Sequence, residues 1–107
     1  MHVDHEIISR VEILPAGEII LILKSGGKRS YQYIFREGKG VYWDMELNGF
    51  KSTVPTSWTY PEWFMNIVST AEICCTPLRL SSDTNWKNIP DSVRDEIISV
   101  MNAYETK

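Results

Sequence analysis

Cysteine is scarce in this chain, and the two that occur, Cys74 and Cys75, are neighbours. Adjacent cysteines seldom bridge because disulfide geometry strains the backbone between them, so both are expected to be reduced thiols and no disulfide framework is expected. Long apolar runs are missing as well. The longest, Ile19 to Leu23, is far too short to span a bilayer, which excludes a membrane helix. The start of the chain, through His2, Asp4 and His5, lacks the basic and apolar regions of a secretory signal, and a cytoplasmic protein is expected. Charge of one sign is also weak: a net -3 gives no general pull toward nucleic acid or anionic lipid. No phosphate loop, nucleophile elbow or paired catalytic carboxylate stands out. His2 and His5 are three apart in an extended segment, and that odd spacing points them to opposite faces, so no metal site is assigned. Catalytic residues and cofactors are accordingly expected to be none.

What the chain does have is aromatic side chains. All but Trp86 and Tyr104 fall between Tyr31 and Phe64, a density that means either an aromatic core or an aromatic-lined surface. The length, 107 residues, suits one domain with one core, residues 1–107.

Turn signals divide the first half into short strands. Strand-like segments run from His5 to Leu14, Glu18 to Lys24, Arg29 to Arg36 and Val41 to Leu47, with Asn48-Gly49 as a hairpin turn leading to a last strand ending near Val54. In Arg29 to Arg36 the residues Tyr31, Tyr33 and Phe35 alternate with polar or smaller ones, the period of a strand. Two-residue turns at Ala16-Gly17 and Gly26-Gly27, with a three-residue loop at Gly38-Lys39-Gly40, would place Val11, Ile13, Ile20, Ile22, Tyr31, Tyr33, Trp43 and Met45 on one apolar face. The second half changes to helical spacing. Thr59-Tyr60-Pro61-Glu62 fits a capping box with proline in the first turn, and opens a helix over 60–75. Pro90-Asp91-Ser92 starts a second over 91–105, with Val93, Ile97, Val100, Met101 and Tyr104 as its buried stripe. The expected fold is α+β in two layers: an antiparallel meander of about five strands over residues 5–54, covered on one face by these two helices.

That parity leaves Ile19, Leu21, Leu23 and Ile34 among polar residues on the opposite face. Such an apolar island is either an association surface or a place covered by a terminus or loop of the same chain. The primary functional expectation is a non-catalytic binding or interaction domain, a homodimer or the holder of a protein partner, associating through these four residues. The first alternative is a small-molecule binder whose aromatic pocket, between sheet and helices, is lined by Trp58, Trp86, Tyr42 and Tyr60, since aromatic walls suit planar or cationic ligands. The second is an enzyme of unknown class using carboxylates such as Asp44, Glu46 or Glu62, though Glu62 already has a capping role. Cys75 falls on the apolar stripe of the first helix, which favours packing over thiol chemistry.

The segment Arg29 to Arg36 is similar to the aromatic strand of RNA-recognition motifs. It departs from that strand at Ser30, Gln32 and Arg36, so nucleic acid is not an expected partner. A broader resemblance is carried by Gly40-Val41-Tyr42-Trp43-Asp44, Trp58-Thr59-Tyr60-Pro61-Glu62-Trp63-Phe64 and the stretch from Trp86 to Asp91. With these the chain resembles the small uncharacterised proteins of bacterial mobile, integron-type gene cassettes. The resemblance implies a bacterial, stand-alone and often self-associating domain of the cytoplasm, and it implies no functional residue.

Overall fold

The computed structural model describes residues 5–54 and 57–105, so His2 and Asp4 lie outside the described residues. Strand β1 (Glu6–Ile13) and strand β2 (Ile19–Leu23) form the first antiparallel hairpin. Their loop sets which side of each strand faces inward. The Gly17 N–H donates to the Leu14 carbonyl at 2.8 Å, and the Leu14 N–H donates to the Glu18 carbonyl at 2.8 Å, so Pro15, Ala16 and Gly17 form a three-residue loop. Gly17, with φ +106°, takes the positive-φ position that such loops reserve for glycine. One loop residue more than a two-residue turn shifts the register by one, pairing Val11 with Leu21 and Ile13 with Ile19.

A one-residue shift turns every side chain of a strand over. Leu21, Ile19 and Leu23 therefore point into the core with Ile8 and Val11, while Ile20 and Ile22 take the other face, beside Glu12 and Arg10 in register. The expected association patch is corrected accordingly: Ile19, Leu21, Leu23 and Ile34 are buried in the core cluster with the helix residues Phe64, Ile67 and Ile97. A bulge in β1 between Ile8 and Arg10 keeps both Ile8 and Val11 inward, and Ser9 Oγ at that bulge donates to the Ile22 carbonyl.

The segment Arg29–Glu37 is not a strand but a 3₁₀ helix. Three residues per turn place Tyr31 and Ile34 on one side, and these two are buried, whereas Tyr33 and Phe35 are exposed at 46% and 52%. A three-residue period thus prevails over the two-residue alternation. The segment ends at Gly38, φ 67°, whose N–H donates to the Phe35 carbonyl.

With no strand there, the edge of β2 is free for another partner. Strand β4 (Gly49–Ser52) takes it, pairing Phe50 with Leu21, and strand β3 (Val41–Asp44) lies outside β4 with Trp43 opposite Phe50. The β3–β4 connection is the four-residue loop 45–48, not a two-residue Asn48-Gly49 turn; Asn48 closes it at φ 59°. Met45, expected in the core, is therefore exposed in that loop. The Asp44 carboxylate caps the loop by accepting from the Glu46 and Leu47 N–H groups, and it pairs with Lys51 at 3.1 Å.

Helix α1 (Tyr60–Ile73) has the expected capping box: the Thr59 hydroxyl accepts from the Glu62 N–H, and Glu62 Oε1 accepts from the Thr59 N–H at 2.8 Å. Helix α2 (Asp91–Glu105) packs against α1 and sends Ile97 and Met101 into the same core. Strands β5 (Leu78–Arg79) and β6 (Asn85–Lys87) both run parallel to β1 on its outer edge, β5 beside Glu6 and Ile7 and β6 beside Arg10 to Glu12. Between them the Thr84 hydroxyl donates to the Ile8 carbonyl at 2.7 Å, satisfying the acceptor that neither strand reaches. The path across the sheet is β3-β4-β2-β1-β5, with β6 also on β1. The fold is α+β with a mostly antiparallel sheet, as expected, but the sheet is mixed rather than a meander.

Candidate functional site

The aromatic residues expected to share a pocket do not meet. Tyr42 is on β3 and Trp86 on β6, at opposite margins of the sheet. Trp58 stands before α1 and stacks at an angle on Trp63, ring centroids 5.0 Å apart, while the Tyr60 hydroxyl donates to the Gly17 carbonyl and so fastens α1 to the first hairpin. Tyr60 is thus structural. The indole of Trp58 contributes only to a shallow surface depression over α1, with Met65 and Tyr104.

Polar groups converge elsewhere, at the end of the sheet where β1 begins and β2 ends. Glu6 opens β1, and its N–H donates to the Pro77 carbonyl. Ser25 follows β2, Tyr31 is on the first turn of the 3₁₀ segment, and Thr76 precedes β5. The Ser25 hydroxyl donates to Glu6 Oε1 at 2.7 Å, and the Tyr31 hydroxyl donates to Glu6 Oε2 at 2.5 Å. Around these groups lies a cavity of about 300 Å³, lined also by His5, Lys28 and Cys75. A second cavity of about 250 Å³ lies on the other side of Tyr31 and Thr76, reaching Arg36, Glu37 and Cys74.

Tyr31 is held by rings as well as by its hydroxyl. Its centroid is 5.3 Å from that of Trp43 and 5.2 Å from that of Phe50, and Trp43 lies 4.8 Å from Phe50, a triad in which Trp43 meets both other rings edge-on and Tyr31 and Phe50 are tilted. Gly27 lies against the Trp43 ring of this triad. A Cβ there would come within 2.4 Å of the Trp43 ring, and its φ of +82° also calls for glycine. Burial pushes the Tyr31 phenol up to about 12, helped by the Glu6 carboxylate, which accepts its hydrogen bond and repels a phenolate; the Thr76 hydroxyl pulls weakly the other way. At neutral pH the phenol therefore keeps its proton and acts as a donor.

The two cysteines, expected at the end of the helix with Cys75 in its apolar stripe, lie just past it, and both are exposed. Cys75 has φ 64°, its N–H donating to the Glu72 carbonyl and the Thr76 N–H to the Ala71 carbonyl. This is a Schellman closure with cysteine at the left-handed position that glycine usually holds. It turns the two thiols apart, Cys75 toward the cleft and Cys74 toward the neighbouring cavity. Burial pushes the Cys74 thiol up, as does its hydrogen bond to and repulsion from Glu37. Among the described residues no group of three or more metal-ligating side chains gathers, and no helix is long and apolar enough to cross a membrane.

Sequence reasoning missed Glu6, Ser25 and Thr76 as site residues because each is a single polar residue in a different segment. Only the three-dimensional closure of β1, β2 and β5 brings them together. One signal was present in the chain, since Lys28 and Tyr31 both come from a segment that Lys24, Lys28, Arg29, Arg36 and Lys39 make basic.

Fold and cleft together describe a small α+β domain with a polar recess at the end of its sheet. The model of the family of integron cassette protein Hfx_Cass5 matches residues 18–84, and the chain belongs to that family, as its resemblance to gene-cassette proteins implied. A solved structure of integron cassette protein Hfx_Cass5, from the mobile metagenome of the North West Arm Sewage Outfall, is similar at 28% identity, over 94% of this chain and 99% of that one, with a TM-score of 0.44. No curated protein matches the chain.

Proposed function

We propose that the chain works as one small binding domain for a small molecule, held in the cleft between Glu6, Ser25, Tyr31 and Thr76. The observation that carries this is convergence: a carboxylate, the serine hydroxyl and the protonated phenol that donate to it, and a further hydroxyl, from four chain segments, all line one concavity. A few placed polar groups against an aromatic wall is the usual form of a small-ligand site. Association of copies through Ile19, Leu21, Leu23 and Ile34 is set aside, because those side chains hold the helices to the sheet.

The test is a thermal-shift screen against amino acids, sugars, nucleosides and small carboxylates, followed by amide NMR on the labelled chain. A true ligand at saturation raises the melting temperature by a few degrees, as preferential binding to the native state requires. Its shifts centre on Ser25, Tyr31 and Thr76, and Tyr31→Phe weakens it by about tenfold. A screen in which every compound that binds shifts residues around Trp58 and Met65 instead would move the site out of this cleft, and one with no binder at all would end the proposal.

A further inference from the structure

We infer that the ligand of this cleft is a small zwitterion of α-amino-acid type, its ammonium on Glu6 and its carboxylate on Lys28; this rests on the cleft being the binding site. Glu6 and Lys28 line the same cavity, yet among the described residues no ion pair joins them to each other or to any other charge. The other charged side chains of β1 and β4 are paired: Glu12 with Arg10 and Lys87, Lys51 with Asp44. Two opposite charges that share a recess without closing on one another are complementary to a ligand carrying both signs.

The groups around them sharpen the match. Ser25 and Tyr31 each donate to a different oxygen of Glu6, which fixes the carboxylate plane and leaves its remaining lone pairs to face an ammonium. Lys28 precedes the 3₁₀ segment as its cap residue, with extended backbone, and lines the recess opposite in charge to Glu6. The Tyr31 ring supplies a wall that favours a cation near its face. A volume of about 300 Å³ lies at the small end of ligand sites, which run from roughly 300 to 1,000 Å³, and so suits a ligand of amino-acid size rather than a nucleotide. Among the described residues His5 is the one further titratable group of basic type on this cavity; Cys75 faces it from the α1 end, and Arg36 and Glu37 belong to the neighbouring one.

The experiment uses the full chain, isotope-labelled, titrated with each of the common α-amino acids. The best binder is then compared with three capped forms of itself: the amide, which keeps only the ammonium; the N-acetyl acid, which keeps only the carboxylate; and the N-acetyl amide, which keeps neither. The zwitterion is expected to bind about tenfold or more tightly than either singly charged form, since charge-assisted bonds are worth that much. Glu6→Gln, which removes the charge and keeps one side-chain oxygen to accept from Tyr31 or Ser25, should reduce amino-acid affinity to that of the N-acetyl acid. Lys28→Met should reduce it to that of the amide, with melting temperature unchanged.

If all four forms shift Ser25, Tyr31 and Thr76 with similar affinity, the cleft stands as a site and the zwitterion is wrong. If no amino acid binds while another class from the screen does, the same conclusion holds. If nothing in either set binds at the cleft, both readings fall together.

Discussion

Ile13 lies opposite Ile19 across the first hairpin, and this one pairing decides which side of β2 is inside. A two-residue turn would have put Ile20 there. The observed loop puts Leu21 there, fully buried against the helical layer.

Leu21 is therefore a core residue, and its substitution should act on stability rather than on association. Leu21→Ala is expected to cost about 2–5 kcal/mol in urea unfolding, the range for emptying a well-packed leucine site. Sedimentation of the folded variant should match the parent. A change of oligomeric state at undiminished stability would contradict the burial described.

Gly26 and Gly27 form a matched pair for separating backbone strain from steric clash. Both have φ near +80°, at +84° and +82°, but nothing lies within 4 Å of a Cβ at Gly26, whereas one at Gly27 meets the Trp43 ring at 2.4 Å. Gly26→Ala should cost about 1–2 kcal/mol from the left-handed backbone alone. Gly27→Ala should cost at least about 1 kcal/mol more, and should shift Trp43 fluorescence. Equal costs would mean that the indole moves aside freely.

Cys75 holds a left-handed position that a side chain occupies only at a cost. Cys75→Gly is expected to raise stability by about 0.5–1 kcal/mol, measured by chemical denaturation, because the Schellman closure of α1 then loses its Cβ strain. Cys75→Ala should leave stability within about 0.5 kcal/mol of the parent.

Alkaline titration isolates Tyr31. Its phenol is raised from 10.0 to about 12 in the folded state, so its contribution is complete below pH 10 and is lost as pH climbs toward about 12. Burial and the Glu72 carboxylate raise the Tyr104 phenol as well, so the tyrosinate absorbance of the parent should show more than one late-ionising group, and Tyr31→Phe should remove one of them. The stability gap between parent and variant should close across the same interval.

Acid titration isolates Asp44. Burial pushes its carboxyl up, but hydrogen bonds from the Leu47 N–H, the Lys51 ammonium and the Glu46 N–H outweigh that, leaving it below its ordinary 3.8. The folded value is the lower one, so the contribution is present above 3.8 and is lost as pH falls through the folded value. Asp44→Asn should cost about 0.5–1.5 kcal/mol near neutrality and progressively less in acid. A gap independent of pH would place the effect in packing rather than charge.

Both helices were legible from residue spacing, and the capping box at Thr59 and Glu62 marked the start of α1 to the residue. The α+β class came from the change of period between the two halves. What misled was Arg29 to Arg36, where Tyr31, Tyr33 and Phe35 alternate like a strand; their fate depends on whether a sheet edge is available, and β4 occupies the edge that they would need. Without that strand the RNA-recognition-like surface does not form. The parity of β2 turned on a single loop residue, a difference of a few backbone angles that composition does not encode. The cleft was illegible for a different reason, since Glu6 and Thr76 are joined by strand closure and not by any spacing in the chain.

The outer border of β1 is shared by β5 and β6, segments that lie some distance downstream. During synthesis, the first hairpin leaves the ribosome with both borders bare; β4 covers that of β2 once residues 49–52 have emerged, but the amides and carbonyls of β1 stay unsheltered until residues 78–87 follow. Such a bare margin invites strands from other nascent copies, and late closure over a long chain separation slows folding. Yield of the native protein in the cell should therefore depend on how quickly translation passes Lys87.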